Sequence, residues 1–204
     1  MTTMLTWQAE GRPGLEGTRV HFGPAPAGFR ALGRIVRPDP DGDFTASYNL
    51  LVREDGSLRR LSVTAATTSA ERHLTISRTD DGFWLLDDGS GSERADFDGA
   101  VDVDVSFSPL FNSLPIRRLG AQREAVDVEI PVVFVSLPDL GVSTAVQRYR
   151  TVRPAVGDVP ALVEFTWEDF TAELAVDVDG FVISYPGLAA LLSSERAEAA
   201  AGAS

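Results

Sequence analysis

Cysteine and lysine are both missing from this 204-residue chain, so all 18 of its basic residues are arginine. Without cysteine there is no disulfide, no thiolate nucleophile, no iron–sulfur cluster and no cysteine-based zinc site. Without lysine, Schiff-base chemistry and a P-loop lysine are excluded. Histidine is confined to His21 and His73, which lack any metal-ligand spacing. No Gly-x-Ser-x-Gly elbow, Gly-x-Gly-x-x-Gly turn or P-loop occurs, and Gly89-Ser90-Gly91-Ser92 reads as a turn with no helix behind it. Neither a metal nor another cofactor is expected. No apolar run approaches the roughly 18 residues of a membrane-spanning helix, which argues against stable membrane insertion. The first fifteen residues lack a basic region followed by an apolar stretch, so no signal peptide is read and a cytoplasmic location is the expectation.

What is abundant is negative charge. Thirty acids against 18 arginines give a net charge of −12. Such a surface repels phosphate backbones, so nucleic acid is not an expected partner, and an anionic membrane surface is disfavoured on the same ground. Solubility is the simplest use of the charge. The hydrophobic fraction of 44% is that of an ordinary globular chain.

Period-2 alternation dominates. Phe44, Ala46, Tyr48, Leu50 and Val52 alternate with polar neighbours, Glu54-Asp55-Gly56-Ser57 turns the chain, and Leu61, Val63 and Ala65 resume the pattern. His73–Arg78 and Phe83–Leu86 form a second pair around Asp80-Asp81-Gly82. Val101, Val103, Val105 and Phe107 alternate with Asp102, Asp104, Ser106 and Ser108, which predicts a strand with one buried and one wet face. Val126–Ser136 is apolar on both faces beyond Pro131, Leu137–Gly141 turns, and Val142–Val152 returns. Phe170–Val178 and Phe181–Tyr185 make a last hairpin through Asp179-Gly180. Gly11–Gly33 reads as short strands broken by loops, and Arg37–Gly42 as a surface turn. Leu188, Leu191 and Leu192 have helical spacing over one turn. Ser193–Ser204 is expected to be a disordered tail, leaving one domain over residues 1–192.

The segment Ser108–Leu119 is the least ordinary. Pro109 and Pro115 interrupt an apolar run that ends in Arg117-Arg118. Read as the start of a strand, it sends the two arginines to opposite faces, one buried and one exposed. The buried one needs an acid, a carbonyl or a ligand, and an internal ion pair and a ligand clamp both remain open. The Asp102-Val103-Asp104 and Asp177-Val178-Asp179-Gly180 runs lack the ligand spacing of a calcium loop. Tyr149 and Tyr185 are read as core-edge residues that could also line a cavity.

Val101–Asp104 followed by Pro109-x-x-Asn112-x-Leu114-Pro115-Ile116-Arg117-Arg118-Leu119 resembles the signature of the bacterial "putative glycolipid-binding" family. Gln147-Arg148-Tyr149, Gly180–Leu188 and Pro13–Glu16 extend the resemblance to most of the chain, and the matching segments imply Asp102, Asp104 and Glu16 as the candidate acid partners of the arginine pair. It implies a mostly β fold, a spiral β-roll of curved antiparallel strands with few short helices, similar to lipoprotein and glycolipid carriers. It also implies non-catalytic binding of a hydrophobic or glycolipid-like ligand in an apolar interior, as carrier or sensor. Asn112, Arg117, Arg118, Arg148, Tyr149, Tyr185, Glu16, Asp102 and Asp104 are the candidate ligand-binding residues. Two alternatives stand beside it: an enzyme acting on a lipid or glycolipid conjugate through acidic residues, and a structural or interaction protein with no small ligand. The oligomeric state is left open.

Overall fold

The computed structural model describes residues 1–24, 28–40 and 42–197. Asp41, in the expected Arg37–Gly42 turn, and the last seven residues of the expected tail lie outside the described residues.

The N-terminal run of strands comprises β1 (Thr2–Ala9), β2 (Leu15–Phe22), β3 (Phe29–Arg37), β4 (Phe44–Val52), β5 (Leu58–Ala66), β6 (Glu71–Arg78), β7 (Trp84–Asp87) and β8 (Ser92–Ala95). Then come β9 (Asp102–Val105) and a helix, α1 (Pro109–Leu119). The C-terminal run is β10 (Asp127–Val135), β11 (Val142–Arg153), β12 (Ala161–Trp167), β13 (Phe170–Val176), β14 (Val182–Tyr185) and β15 (Ala189–Ala197). All fifteen strands form one sheet in the order β8-β7-β6-β5-β4-β3-β2-β1-β15-β14-β13-β12-β11-β10-β9. The fold is mostly β with a single short helix among the described residues, as the alternation predicts.

Two antiparallel meanders are thus joined along a seam between the first and last strands. β15 is the element that the sequence reading missed. Ser193–Ala197, expected to be disordered, pairs with Thr2–Thr6. The helical spacing of Leu188, Leu191 and Leu192 likewise gives way to a turn at Leu188 and extended backbone at Leu191 and Leu192. The free edge of β1 offers β15 a ladder of backbone hydrogen bonds, and one turn of helix is too short to compete. The expected antiparallel pattern has one exception: β9 and β10 pair in parallel, Val132 opposite Asp102, with α1 as the crossover between them.

The sheet rolls so that its far ends approach. The Leu58 amide donates to the Val101 carbonyl at 2.9 Å, and the Trp84 indole N–H to the Ala100 carbonyl at 3.2 Å. Inside lie two hydrophobic cores. One gathers Leu5, Trp7, Leu50, Leu61, Ile76 and Trp84, and the other Val163, Phe165, Leu174 and Val176. α1 bridges them, giving Leu110, Phe111 and Leu114 to the first and Ile116 to the second.

α1 corrects the expectation for Ser108–Leu119. Pro109 sits in the first turn, where a missing N–H costs nothing. Pro115 lies inside the helix at a local hydrogen-bond cost, yet Pro109 through Ile116 are all buried. Burial on every side of the first eight residues outweighs the proline penalty. The same helix overturns the wet face assigned to β9. Asp102, Val103, Asp104 and Val105 are all buried, because α1 covers the face that alternation assigned to solvent.

Candidate functional site

Three groups of polar side chains surround α1, at its start, its middle and its end. At the start, β2 turns Glu16, Thr18 and Val20 inward. Three hydroxyls converge on Glu16 Oε1. Ser108 donates at 2.6 Å and Thr18 at 3.3 Å, and Tyr48 makes the closest contact. Ser108 occupies the N-cap position of α1 but makes no cap bond there, because its hydroxyl is given to Glu16. Tyr48 can reach across because Gly33 lies under its ring; a Cβ at that position would stand 2.0 Å from the Tyr48 ring. Glu16 Oε2 has no hydrogen-bond partner among the described residues. Glu16 also lines a void of about 10 Å³ together with Trp7, Arg37 and Phe107, room for one water-sized group. Burial pushes the Glu16 carboxyl up to about 7, against the opposing pull of the three hydroxyls. With Oε1 saturated by donors, the proton of the neutral acid belongs on Oε2.

In the middle, Asp104 accepts from Gln147 Nε2 at 2.6 Å. Gln147 Oε1 accepts from the Tyr149 hydroxyl at 2.9 Å, and that hydroxyl accepts from Asn112 Nδ2 at 3.1 Å. This relay ties β9 to β11 and to α1. Burial raises Asp104 to about 6, and no cation contacts it among the described residues.

At the end of the helix, Arg118 grips Asp102 with two nitrogens. Nε donates at 3.0 Å and Nη2 at 2.5 Å, both to Oδ2. Burial raises the Asp102 carboxyl, and Arg118 opposes the shift. Arg117, the next residue round the helix, donates to the Asp179 carbonyl. Its guanidinium also lies 4.9 Å from the ring centres of both Phe22 and Phe181. Gly180 makes room for it, since a Cβ there would stand 2.5 Å from Arg117 Cγ. Successive helical residues diverge by about 100°, not the 180° of a strand. Both arginines are therefore half-buried, one on a carboxylate and one on a carbonyl, and the expected buried–exposed contrast does not occur.

A cleft of about 220 Å³ opens at this end, lined by Phe22, Phe29, Leu114, Arg53, Arg117 and Arg118, with Glu54 and Asp55 also on its wall. Of the candidate residues, Glu16, Asp102, Asp104, Asn112, Arg117, Arg118 and Tyr149 are gathered around α1. Two are not. Arg148 lies on the outer face in an ion pair with Asp127 at 2.7 Å, and Tyr185 packs in the second core against Phe165. Tyr48, Thr18, Ser108 and Gln147 belong to the polar centre although the sequence reading gave them no role. Their signal is register: Glu16 and Thr18 occupy the same inward row as Val20, and Tyr48 the inward row of Ala46 and Leu50.

The single rolled sheet around one helix is a β-barrel-like fold whose sheet stays open. The chain matches the family described as "Putative glycolipid-binding" over residues 4–190, and it belongs to that family. It is similar to the crystal structure of a DUF1089 family protein from Pseudomonas aeruginosa, at 28% identity and a TM-score of 0.63. That match covers 84% of this chain and 90% of the other. A β-barrel-like protein of the domain of unknown function DUF1849 from Brucella abortus shares the fold at 9% identity and a TM-score of 0.55, with 97% of each chain covered. No curated protein matches the chain. Among the described residues, no helix is long and apolar enough to cross a membrane, and no group of three or more His, Asp or Glu side chains could hold a metal ion.

Proposed function

We propose that the protein binds a glycolipid-like amphiphile without chemical change, as a cytoplasmic carrier or sensor, with the polar head at the Arg117–Arg118 end of α1. The observation that carries this reading is the lining of the 220 Å³ cleft, where Phe22, Phe29 and Leu114 stand beside three guanidinium groups. Binding sites of this kind pair an apolar wall with a few orienting polar groups. α1, buried from Pro109 to Ile116 against both cores, occupies the interior, which favours the cleft at its end over an internal site. Asp102 contributes by holding Arg118 in place. Asn112, Tyr149 and Asp104 fix the middle of the helix from behind.

Native mass spectrometry of freshly purified protein, followed by organic extraction, tests the reading. The wild type is expected to carry an amphiphile that Arg117→Gln loses, with both melting within a few degrees of each other. Wild-type protein that carries none, and whose melting temperature is unmoved by dodecyl maltoside added below its micelle threshold, would overturn it.

A second reading, acid catalysis on a conjugate, is favoured by one observation. Glu16 is a carboxyl raised to about 7 with an unpartnered oxygen. It requires a substrate oxygen to enter the small void beside Trp7. Loss of a hydrolytic activity in Glu16→Gln, with ligand retention intact, would support it.

A further inference from the structure

The outer face of the N-terminal meander carries a charge opposite to that of the whole molecule. The outward rows of β2 through β5 hold Arg19, Arg30, Arg34 and Arg60, and contain no aspartate or glutamate. Among the described residues none of these four arginines is in an ion pair. Arg30 donates only to the Asn49 side-chain oxygen, at 3.1 Å. The outer face of the C-terminal meander treats arginine differently, with Arg148 on Asp127 and Arg150 on Glu164, each by two nitrogens. In a chain of net charge −12, four uncompensated arginines on one face are a segregated feature.

A groove of about 530 Å³ runs between Arg19 and Arg34. Register explains its shape: Gly17 stands opposite Arg34, and Leu32 opposite Arg19. A Cβ on Gly17 would meet nothing within 4 Å, so the floor there is open. Met4, opposite Arg19 on the other side, is 42% exposed, and Leu32 is 38% exposed.

We infer that this face docks on the headgroup layer of a bilayer containing anionic phospholipid, with Arg19, Arg30, Arg34 and Arg60 on phosphates and Met4 and Leu32 dipping between headgroups. The expectation that negative charge keeps the chain off such a surface treated the charge as evenly spread, and it is not. Lipid headgroups diffuse in the plane and gather under a local patch, whereas a nucleic acid would run past the patch onto the acidic remainder. The outward rows of β2 through β5 present no Phe, Tyr or Trp ring for base stacking, His21 being their one aromatic side chain, while the exposed apolar side chains suit an interface with lipid. The surface is separate from the cleft at Arg117, which lies at the end of the sheet and not on its outer side.

Co-sedimentation of the full chain with phosphatidylcholine vesicles, with and without a third of phosphatidylglycerol, tests the inference. Binding is expected only to the anionic vesicles at low salt, and high salt should release it. Arg19→Ser/Arg34→Ser should partition roughly tenfold more weakly. Arg150→Ser/Arg153→Ser, with the same change in net charge on the other face, should partition as the wild type does. Absence of wild-type binding at low salt, or equal loss in both double variants, would overturn the inference. So would tighter binding to a single-stranded oligonucleotide than to the vesicles, lost in Arg19→Ser/Arg34→Ser.

Discussion

The two ends of α1 bury a carboxyl group in opposite ways. At the C-terminal end Asp102 is held by the guanidinium of Arg118, and cations there also complement the helix dipole. At the N-terminal end Glu16 is held by three hydroxyls and no cation. A buried charge needs a counter-charge, whereas a buried neutral acid needs only hydrogen-bond partners. The first arrangement is an ion pair whose two members depend on each other. The second keeps a proton, and its free energy follows the pH of the solution.

Breaking the ion pair should have the largest effect. Arg118→Ala strands Asp102 in the interior, and a loss of about 3–5 kcal/mol at neutral pH is expected from denaturant unfolding. The loss should shrink in acid, where Asp102 can take a proton. A variant as stable as the wild type at pH 7 would mean that the pair contributes nothing.

The neutral end should respond with the opposite sign. The folded state holds the Glu16 proton up to about pH 7, against the 4.5 of an ordinary glutamate. Its contribution is therefore greatest below 4.5 and is lost as pH rises towards 7, a change of roughly 3 kcal/mol. Asp104, raised to about 6, adds a loss of the same sign between its ordinary value and 6. The protein should melt higher at pH 5 than at pH 8. Glu16→Gln mimics the neutral acid, so it should flatten part of that slope and melt above the wild type at pH 8. A slope unchanged in Glu16→Gln would assign the pH dependence to other groups.

Smaller still is the expected effect of Ser108→Ala. It removes one of the three donors to Glu16 and should cost about 1–2 kcal/mol at pH 8, and less at pH 5, where the carboxyl is neutral. Arg148→Ala completes the series. Its partner Asp127 is 49% exposed, so water screens the pair on the outer face and the melting temperature should scarcely move. A loss comparable to that of Arg118→Ala would erase the distinction between buried and solvated pairs.

Much of the sheet was legible in the residues. The alternation Phe44–Val52 and the turn at Glu54–Ser57 are found where the sequence puts them, as are the pairing of β6 with β7 and the return at Leu137–Gly141. Part of the site was legible too: Asp102 was among the acids expected beside the arginine pair. Alternation reports which residues share a face, and turn chemistry is local, so both survive without knowledge of the rest of the chain.

What lies on the far side of each face is not local. Asp102 and Asp104 share a row that any strand reading assigns to water, and only α1 packing across β9 makes them buried acids. The helix itself was hidden by Pro109 and Pro115, whose local penalty is outweighed by burial between two cores. β15 exists because β1, nearly two hundred residues away, leaves an edge to be paired. Local residue pattern was enough for most of the strands, their turns and which residues share a face. The tertiary structure decided which faces are covered, and with that which carboxyls keep a proton, since burial is a property of everything packed against a residue and not of its neighbours along the chain.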